Sequence, residues 1–222
     1  MDRPGSDRPP PGVPILGIDE AGRGPILGPM VLAGVYADEA GLASMREAGV
    51  ADSKKFAGKR ARERRATLAD VVRANAIRTA MRVVPVERID AESLGDIERD
   101  EAMSIIRQIR PEGEVILDGA AIFDRLARRL AWGRAEDRAD AAHTAVAAAS
   151  ILAKVERDRL FLEIAARYEP EYGPLAGWGY NTAGSYAFLE AYHARTGGCP
   201  PEMRRKWGWL PATPATSPRS GE

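Results

Sequence analysis

Twenty-one residues near the start of the chain, Ile15 to Val35, constrain it most: ILGIDEAGRGPILGPMVLAGV. A short apolar run ends in two adjacent acids, Asp19 and Glu20. A glycine-rich turn follows, Gly22-Arg23-Gly24-Pro25, and a second apolar run begins at Met30. Burying a carboxylate in a sheet costs several kcal/mol unless it is paired or bound to a cation. Glycines give the backbone freedom and let a ligand or another backbone approach closely. An acid on a strand that runs into such a turn points to a metal site beside a phosphate or sugar site. The rest of the chain has to supply that site's partners.

The same grammar recurs downstream. Val115-Ile116-Leu117 is a short, fully apolar strand that runs straight into Asp118-Gly119. Strands are predicted over Ile15–Asp19 and Met30–Ala37, over IRTAMRVV up to Pro85, and at an edge over Ala131–Arg134. Periodicity predicts an amphipathic helix over Lys59–Ala74 and a single helix over Ile89–Ile109, stopped by Pro111. Ala120–Leu130 and Ser185–Thr196 also read as helical, and Asp140–Arg167 is the longest helical pattern. Its small-residue run, Ala145 to Ser150, lets a helix lie close against a sheet. Strands come first and then alternate with helices, so the fold class is α/β with a mixed central sheet flanked by helices.

Composition narrows the chemistry. With 222 residues and 45% hydrophobic residues, the chain can build a sizeable core. No apolar run approaches the twenty residues of a membrane-spanning helix, and the N-terminus lacks the apolar stretch of a signal peptide. A cytoplasmic protein without a membrane partner is expected. The single Cys199 excludes an internal disulfide and a cysteine-based zinc site. Lys plus Arg and Asp plus Glu both number 32, so net charge gives no general argument for nucleic acid. Clustered arginines still supply local basic patches.

Each candidate residue has a functional reading and a plainer one. Asp118 is a metal ligand or the first residue of an Asp-Gly turn. Asp158 is a ligand or a solvated helix acid among Lys154, Arg157 and Arg159. Carboxylates drawn from separate elements suit hard cations, Mg²⁺ or Mn²⁺. Gly22, Arg23 and Gly24 form a plain tight turn or aim amides at a phosphate or ribose. Their spacing fits neither the phosphate-loop nor the dinucleotide fingerprint. Ser53 and Lys54 start a helix or contact a nucleic-acid backbone. Ser150 is a buried hydroxyl or a substrate contact. Tyr180 packs a loop or stacks on a sugar or base. Arg204, Arg205, Lys206, Trp207 and Trp209 form a phosphate patch or a docked C-terminal segment.

Taken in order, GIDEAGRGPILGP, ADSKK, the acid of ILDG, AAASILAKVERD and GYNT resemble type 2 ribonuclease H, ribonuclease HII. The resemblance covers most of Ile15 to Trp209. GPILGPMVLAGV and PPEMRRKW place it closer to the archaeal and eukaryotic catalytic-subunit branch. It implies an RNase H-like fold with a C-terminal helical extension. It also implies Mg²⁺- or Mn²⁺-dependent two-metal cleavage of the RNA strand of RNA–DNA hybrids and cutting 5′ of single ribonucleotides in duplex DNA, leaving a 5′-phosphate and a 3′-hydroxyl. By motif position Asp19, Glu20, Asp118 and Asp158 would bind the metals. Gly22, Arg23 and Gly24 would sense the 2′-hydroxyl, and Tyr180 would stack on the sugar at the junction. Ser53, Lys54 and Ser150 would contact the substrate. Three places depart from the branch's pattern: Ser93-Leu94-Gly95, Lys206, and the loop carrying Trp178 and Asn181. They bear on secondary substrate contacts rather than on the carboxylates.

The expected organisation is a tail over 1–14, a catalytic domain over 15–168, a substrate-binding extension over 169–210 and a tail over 211–222, in a monomer. Two other readings compete: a module that holds hybrids without cutting them, and a nucleotide-binding protein with a generic glycine turn. The full set of acids speaks against the first, and the missing fingerprints speak against the second.

Overall fold

The computed structural model describes residues 12–51, 58–209 and 211. A five-stranded sheet has the order β3-β2-β1-β4-β5, with β1 (Ile15–Ala21), β2 (Met30–Ala37), β3 (Arg78–Val84), β4 (Val115–Asp118) and β5 (Gly133–Glu136). β1 pairs antiparallel with β2 and parallel with β4, and β4 pairs parallel with β5. The mixed sheet expected from the sequence is therefore present. The helices are α1 (Glu39–Glu47), α2 (Gly58–Asn75), α3 (Val86–Ala91), α4 (Leu94–Ile109), α5 (Ala120–Ala127), α6 (Ala139–Ala142), α7 (Thr144–Tyr172) and α8 (Ala183–Thr196). No helix among the described residues is long and apolar enough to cross a membrane.

The chain forms two compact units. The first holds residues up to Ala21, Val31–Val83 and Ser93–Glu156. The second holds Gly22–Met30, Val84–Glu92 and the chain from Arg157 onward.

In the first unit, strand periodicity sorts the faces of β1. Gly17 faces the start of α7, where a methyl at its Cα would lie 2.2 Å from the carbonyl carbon of Ala145. On the opposite face, Leu16 packs with α4: Gly34, paired with Ile18, sits under Ile105 and Ile109. The central strands are thus covered on both faces, which explains why β2 is buried along its whole length.

Some boundaries differ from those read in the sequence, each for a local reason. β1 continues past Asp19, because Glu20 and Ala21 find partners in Leu32 and Val31. The single helix expected over Ile89–Ile109 is two, broken where Glu92 and Ser93 take extended backbone, with Ser93 at the N-cap of α4. Serine offers the chain an alternative to helix at such positions. α7 begins at Thr144 rather than Asp140, because His143 is extended and separates it from α6. β5 lies at Gly133–Glu136 instead of Ala131–Arg134; its Gly133 is pressed against the Ala127 backbone, where no side chain fits.

The second unit is built on a different core. Ile26, Leu27, Phe161, Phe188, Leu189 and Met203 are buried together. Tyr168, Tyr172, Phe188 and Tyr192 form a ring cluster with centroids 5.0–6.1 Å apart. Few aromatics occur in the chain, and eight of its fourteen pack in or against this core.

Candidate active site

The register of β1 with β4 runs Leu16–Val115, Gly17–Ile116, Ile18–Leu117. One step further along both strands stand Asp19 and Asp118. Parallel strands in register carry matched positions on the same face, so the two acids recognised separately in the sequence become neighbours. Each feels the other's charge.

Asp19 is 5% exposed. Burial raises its carboxyl above the ordinary aspartate range, and the charge of Asp118 adds to that rise. Three groups oppose it: the Ser150 hydroxyl donates to the carboxylate, Lys154 supplies a positive charge, and the Glu20 N–H donates to Oδ1 at 2.8 Å. The Lys154 ammonium in turn donates to Ser150 Oγ. Lys154 lies one turn beyond Ser150 on α7, so one helix face supplies both groups. Asp118 is oriented separately, accepting from the Ala139 N–H at 2.6 Å at the start of α6.

Glu20 follows Asp19 within the same strand, so its side chain leaves β1 on the opposite face. Asp158 belongs to the second unit, one turn beyond Lys154 along α7. Ser150, Lys154 and Asp158 follow one stripe of that helix at a spacing of four. The Arg157 guanidinium stands 3.8 Å from the Asp158 carboxylate.

Whether these residues suit a divalent cation is a matter of donor chemistry. Among the described residues no three His, Cys, Asp or Glu side chains already form a cage. Mg²⁺ asks for less: one or two carboxylates, several waters and substrate phosphate oxygens. A buried Asp19 held above its ordinary range beside a second carboxylate is a site where added positive charge is favourable. The pair fits a hard cation.

The second unit carries the glycine turn and Tyr180. Gly22 has φ +86, in the left-handed region, and a side chain there would collide with the Pro29 carbonyl at 2.9 Å. Arg23 and Gly24 are exposed. Tyr180 is 46% exposed and follows Gly179, whose carbonyl accepts from the Ile26 and Leu27 amides. Turn and tyrosine loop are therefore tied together by backbone. Ser53 and Lys54 lie outside the described residues.

Two buried arginines stand out: Arg157, which the sequence marks only as a basic neighbour of Asp158, and Arg204, expected in either a phosphate patch or a docked C-terminal segment. Arg157 is 2% exposed; it donates to the Trp178 carbonyl and places its guanidinium 5.2 Å from the Phe161 ring and 5.0 Å from the Tyr180 ring. Its Nε and Nη1 are buried without a hydrogen-bond partner. Arg204 is fully buried, and the PPEMRRKW segment is docked around it. Burial, and the charge of Arg157, push the Arg204 guanidinium down to about 10. The signal for Arg157 was present in α7: Ala153 and Phe161, one turn to either side, are both buried, and the helical period puts Arg157 on the same stripe.

Comparison with known proteins joins these observations. The family model described as Ribonuclease HII matches residues 16–208. A ribonuclease HII of Thermococcus onnurineus is 35% identical over 208 residues, covering 88% of each chain. The crystal structure of the ribonuclease H2 of Pyrococcus horikoshii superposes with a TM-score of 0.75 at 30% identity, covering 88% of this chain and 94% of that one. The ribonuclease HII in a complex with PCNA from Archaeoglobus fulgidus gives a TM-score of 0.72 at 35% identity, with 87% and 93% covered. The RNase H-like architecture with its C-terminal helical region is shared with both.

Proposed function

The chain belongs to the ribonuclease HII family, and from that premise we propose that it is an endonuclease that hydrolyses the RNA strand of RNA–DNA hybrids and cuts 5′ of single ribonucleotides embedded in duplex DNA. The products would be a 5′-phosphate and a 3′-hydroxyl, and the enzyme would act as a cytoplasmic monomer. The observation that carries this reading is the buried Asp19 of β1 beside Asp118 at the end of the adjacent parallel strand β4, with Ser150 and Lys154 turned toward it.

Asp19 and Asp118, with Glu20 and Asp158 added by motif position, would hold two Mg²⁺ or Mn²⁺ ions. Such ions activate a water and stabilise the leaving oxygen of a phosphodiester. The residues' own work is to fix this arrangement. Asp19 is held by its bonds from Ser150 and the Glu20 amide, and Asp118 by the Ala139 amide. Lys154, by supplying nearby positive charge, opposes the rise that burial imposes on the Asp19 carboxyl.

Recognition would lie in the second unit. The exposed Arg23 and Gly24 would meet the ribose and its phosphate, because the 2′-hydroxyl is the one group that distinguishes RNA from DNA at a single nucleotide. Tyr180, half exposed and backed by Arg157, would stack on the sugar at the RNA-to-DNA junction.

The test is a short DNA duplex with one embedded ribonucleotide, incubated with Mg²⁺ or Mn²⁺. A nick 5′ of the ribonucleotide is expected. Intact duplex under both metals would overturn the proposal.

A further inference from the structure

The backbone polarity of the Gly22–Gly28 turn is controlled from the far end of the chain. The Arg204 guanidinium donates from Nε to the Gly28 carbonyl at 2.8 Å, from Nη1 to Arg23 at 3.0 Å and from Nη2 to Gly22 at 2.7 Å. The Trp207 indole N–H donates to the Gly24 carbonyl at 3.0 Å. The Arg204 amide donates to Ile26, and the Gly28 amide donates to Glu202. Five carbonyls of one short turn, those of Gly22, Arg23, Gly24, Ile26 and Gly28, are thus taken by Arg204 and Trp207.

This use of a buried arginine is costly and selective. A guanidinium carries five N–H donors in a rigid fork. Here three different carbonyls receive it, and among the described residues it hydrogen-bonds to no carboxylate, the Asp90 charge acting on it without a direct bond. Burying it among neutral carbonyls costs more than leaving it in water, and nothing in the second unit's apolar core demands it. What it accomplishes is orientation: with these carbonyls bonded to Arg204 and Trp207, the exposed part of the turn at Gly24 is left to present its amide. Among the described residues the Gly24 N–H meets no acceptor, and open space lies above its Cα.

We propose that Arg204, assisted by Trp207, is the positioning residue of the ribose-reading turn: it fixes the turn's carbonyls inward so that its amide edge faces the 2′-hydroxyl of the scissile nucleotide. This rests on the ribonuclease reading above and adds to it a determinant of the ribose-over-deoxyribose preference. Arg204 touches no substrate in this scheme and acts only through the turn.

The experiment measures binding of two labelled duplexes, identical except for one ribonucleotide, by fluorescence anisotropy in Ca²⁺, with gels checking that both stay intact. Trp207→Phe leaves an aromatic ring beside the Arg204 guanidinium, 5.1 Å from the Trp207 ring in the native chain, and removes the indole N–H together with its five-membered ring. Arg204→Lys keeps the charge and loses the fork. Loss of one hydrogen bond predicts that Trp207→Phe narrows the preference for the ribonucleotide duplex about fivefold. Arg204→Lys should narrow it further, while affinity for the all-DNA duplex stays within about twofold. An unchanged preference in Trp207→Phe, or an equal loss on both duplexes, overturns the proposal, and this holds even if Arg204→Lys fails to fold. A wild-type protein that neither prefers nor cuts the ribonucleotide duplex overturns the ribonuclease reading itself. A wild type that does both, with variants that keep the preference, overturns only the role of Arg204.

Discussion

The guanidinium carbon of Arg157 stands 5.0 Å from the centre of the Tyr180 ring. Arg157 is buried and Tyr180 is half exposed, so one face of the ring is backed by a fixed cation and the ring keeps an open side. A ring held in this way has its orientation set before a substrate arrives. Removing it should cost stacking energy of about 1–3 kcal/mol. Tyr180→Ala is therefore expected to slow cleavage at a single ribonucleotide by about tenfold or more, and to slow cleavage of long hybrids less. Tyr180→Phe should retain most activity. Equal losses on the two substrates in Tyr180→Ala would remove the junction role.

Arg157 itself separates stability from function. Two of its nitrogens are buried without a hydrogen-bond partner, and burial pushes its guanidinium below the usual range. Replacing such a poorly paired charge by an apolar side chain of similar volume is often neutral or stabilising. Arg157→Met is expected to melt within a few degrees of wild type and yet cut the single-ribonucleotide duplex about tenfold more slowly, because Tyr180 loses its backing. A thermal melt and a cleavage time course on the same preparation check both halves. A drop of more than about 10 °C would show the arginine to be structural.

How far the sequence exposed this architecture depended on where each determinant lies. The span of β2 was legible to the residue, because an apolar run bounded by turn residues is a local signal. Asp19 and Asp118 were legible as strand-end acids, but their adjacency was not. It depends on the register of β1 against β4, which strands widely separated in the chain adopt only on folding. The break at Glu92 and Ser93 was hidden by an apolar rhythm that continues through it. Arg204 was the least legible. Its partners lie at Gly22, Arg23 and Gly28, and nothing near Arg204 in the chain distinguishes it from Arg205, which is exposed.

Asp19→Asn tests the metal site by two opposed effects. In wild type without metal, burial and Asp118 raise the Asp19 carboxyl above the unfolded value. The native state then holds a proton more tightly than the unfolded chain, so this residue's contribution to stability declines as pH rises from the unfolded pKa through the raised one. The neutral amide removes that penalty. Metal-free Asp19→Asn is expected to melt higher than wild type at neutral pH, and the gap should close under acid. Cleavage in Mg²⁺ should fall by a factor of about 10³ or more, as for loss of a group the transition state requires. Melting curves over a pH series without metal, and nicking assays with it, read the two effects. Normal cleavage by this variant would refute the assignment of Asp19 to the site.

Gly17 tests whether close contact between β1 and α7 holds Ser150 and Lys154 against Asp19. A methyl at Gly17 would lie 2.2 Å from the Ala145 carbonyl carbon and 2.3 Å from the Val146 nitrogen. Both are backbone atoms of a helix and cannot move aside as a side-chain tip can. Room can be made only by shifting the start of α7 away from the strand. Overpacking a core usually costs 1–3 kcal/mol, and clash with fixed backbone belongs at or above the top of that range. Gly17→Ala is therefore expected to lower stability by about 3 kcal/mol or more, measured by denaturant unfolding. Where the variant still folds, displacement of α7 also carries Ser150 and Lys154 from the Asp19 carboxylate, two residues further along the same face of β1. Its cleavage rate should then fall at saturating metal and at temperatures well below the melt. A Gly17→Ala protein with wild-type stability and rate would show that the small-residue contact between β1 and α7 does not set the geometry around Asp19.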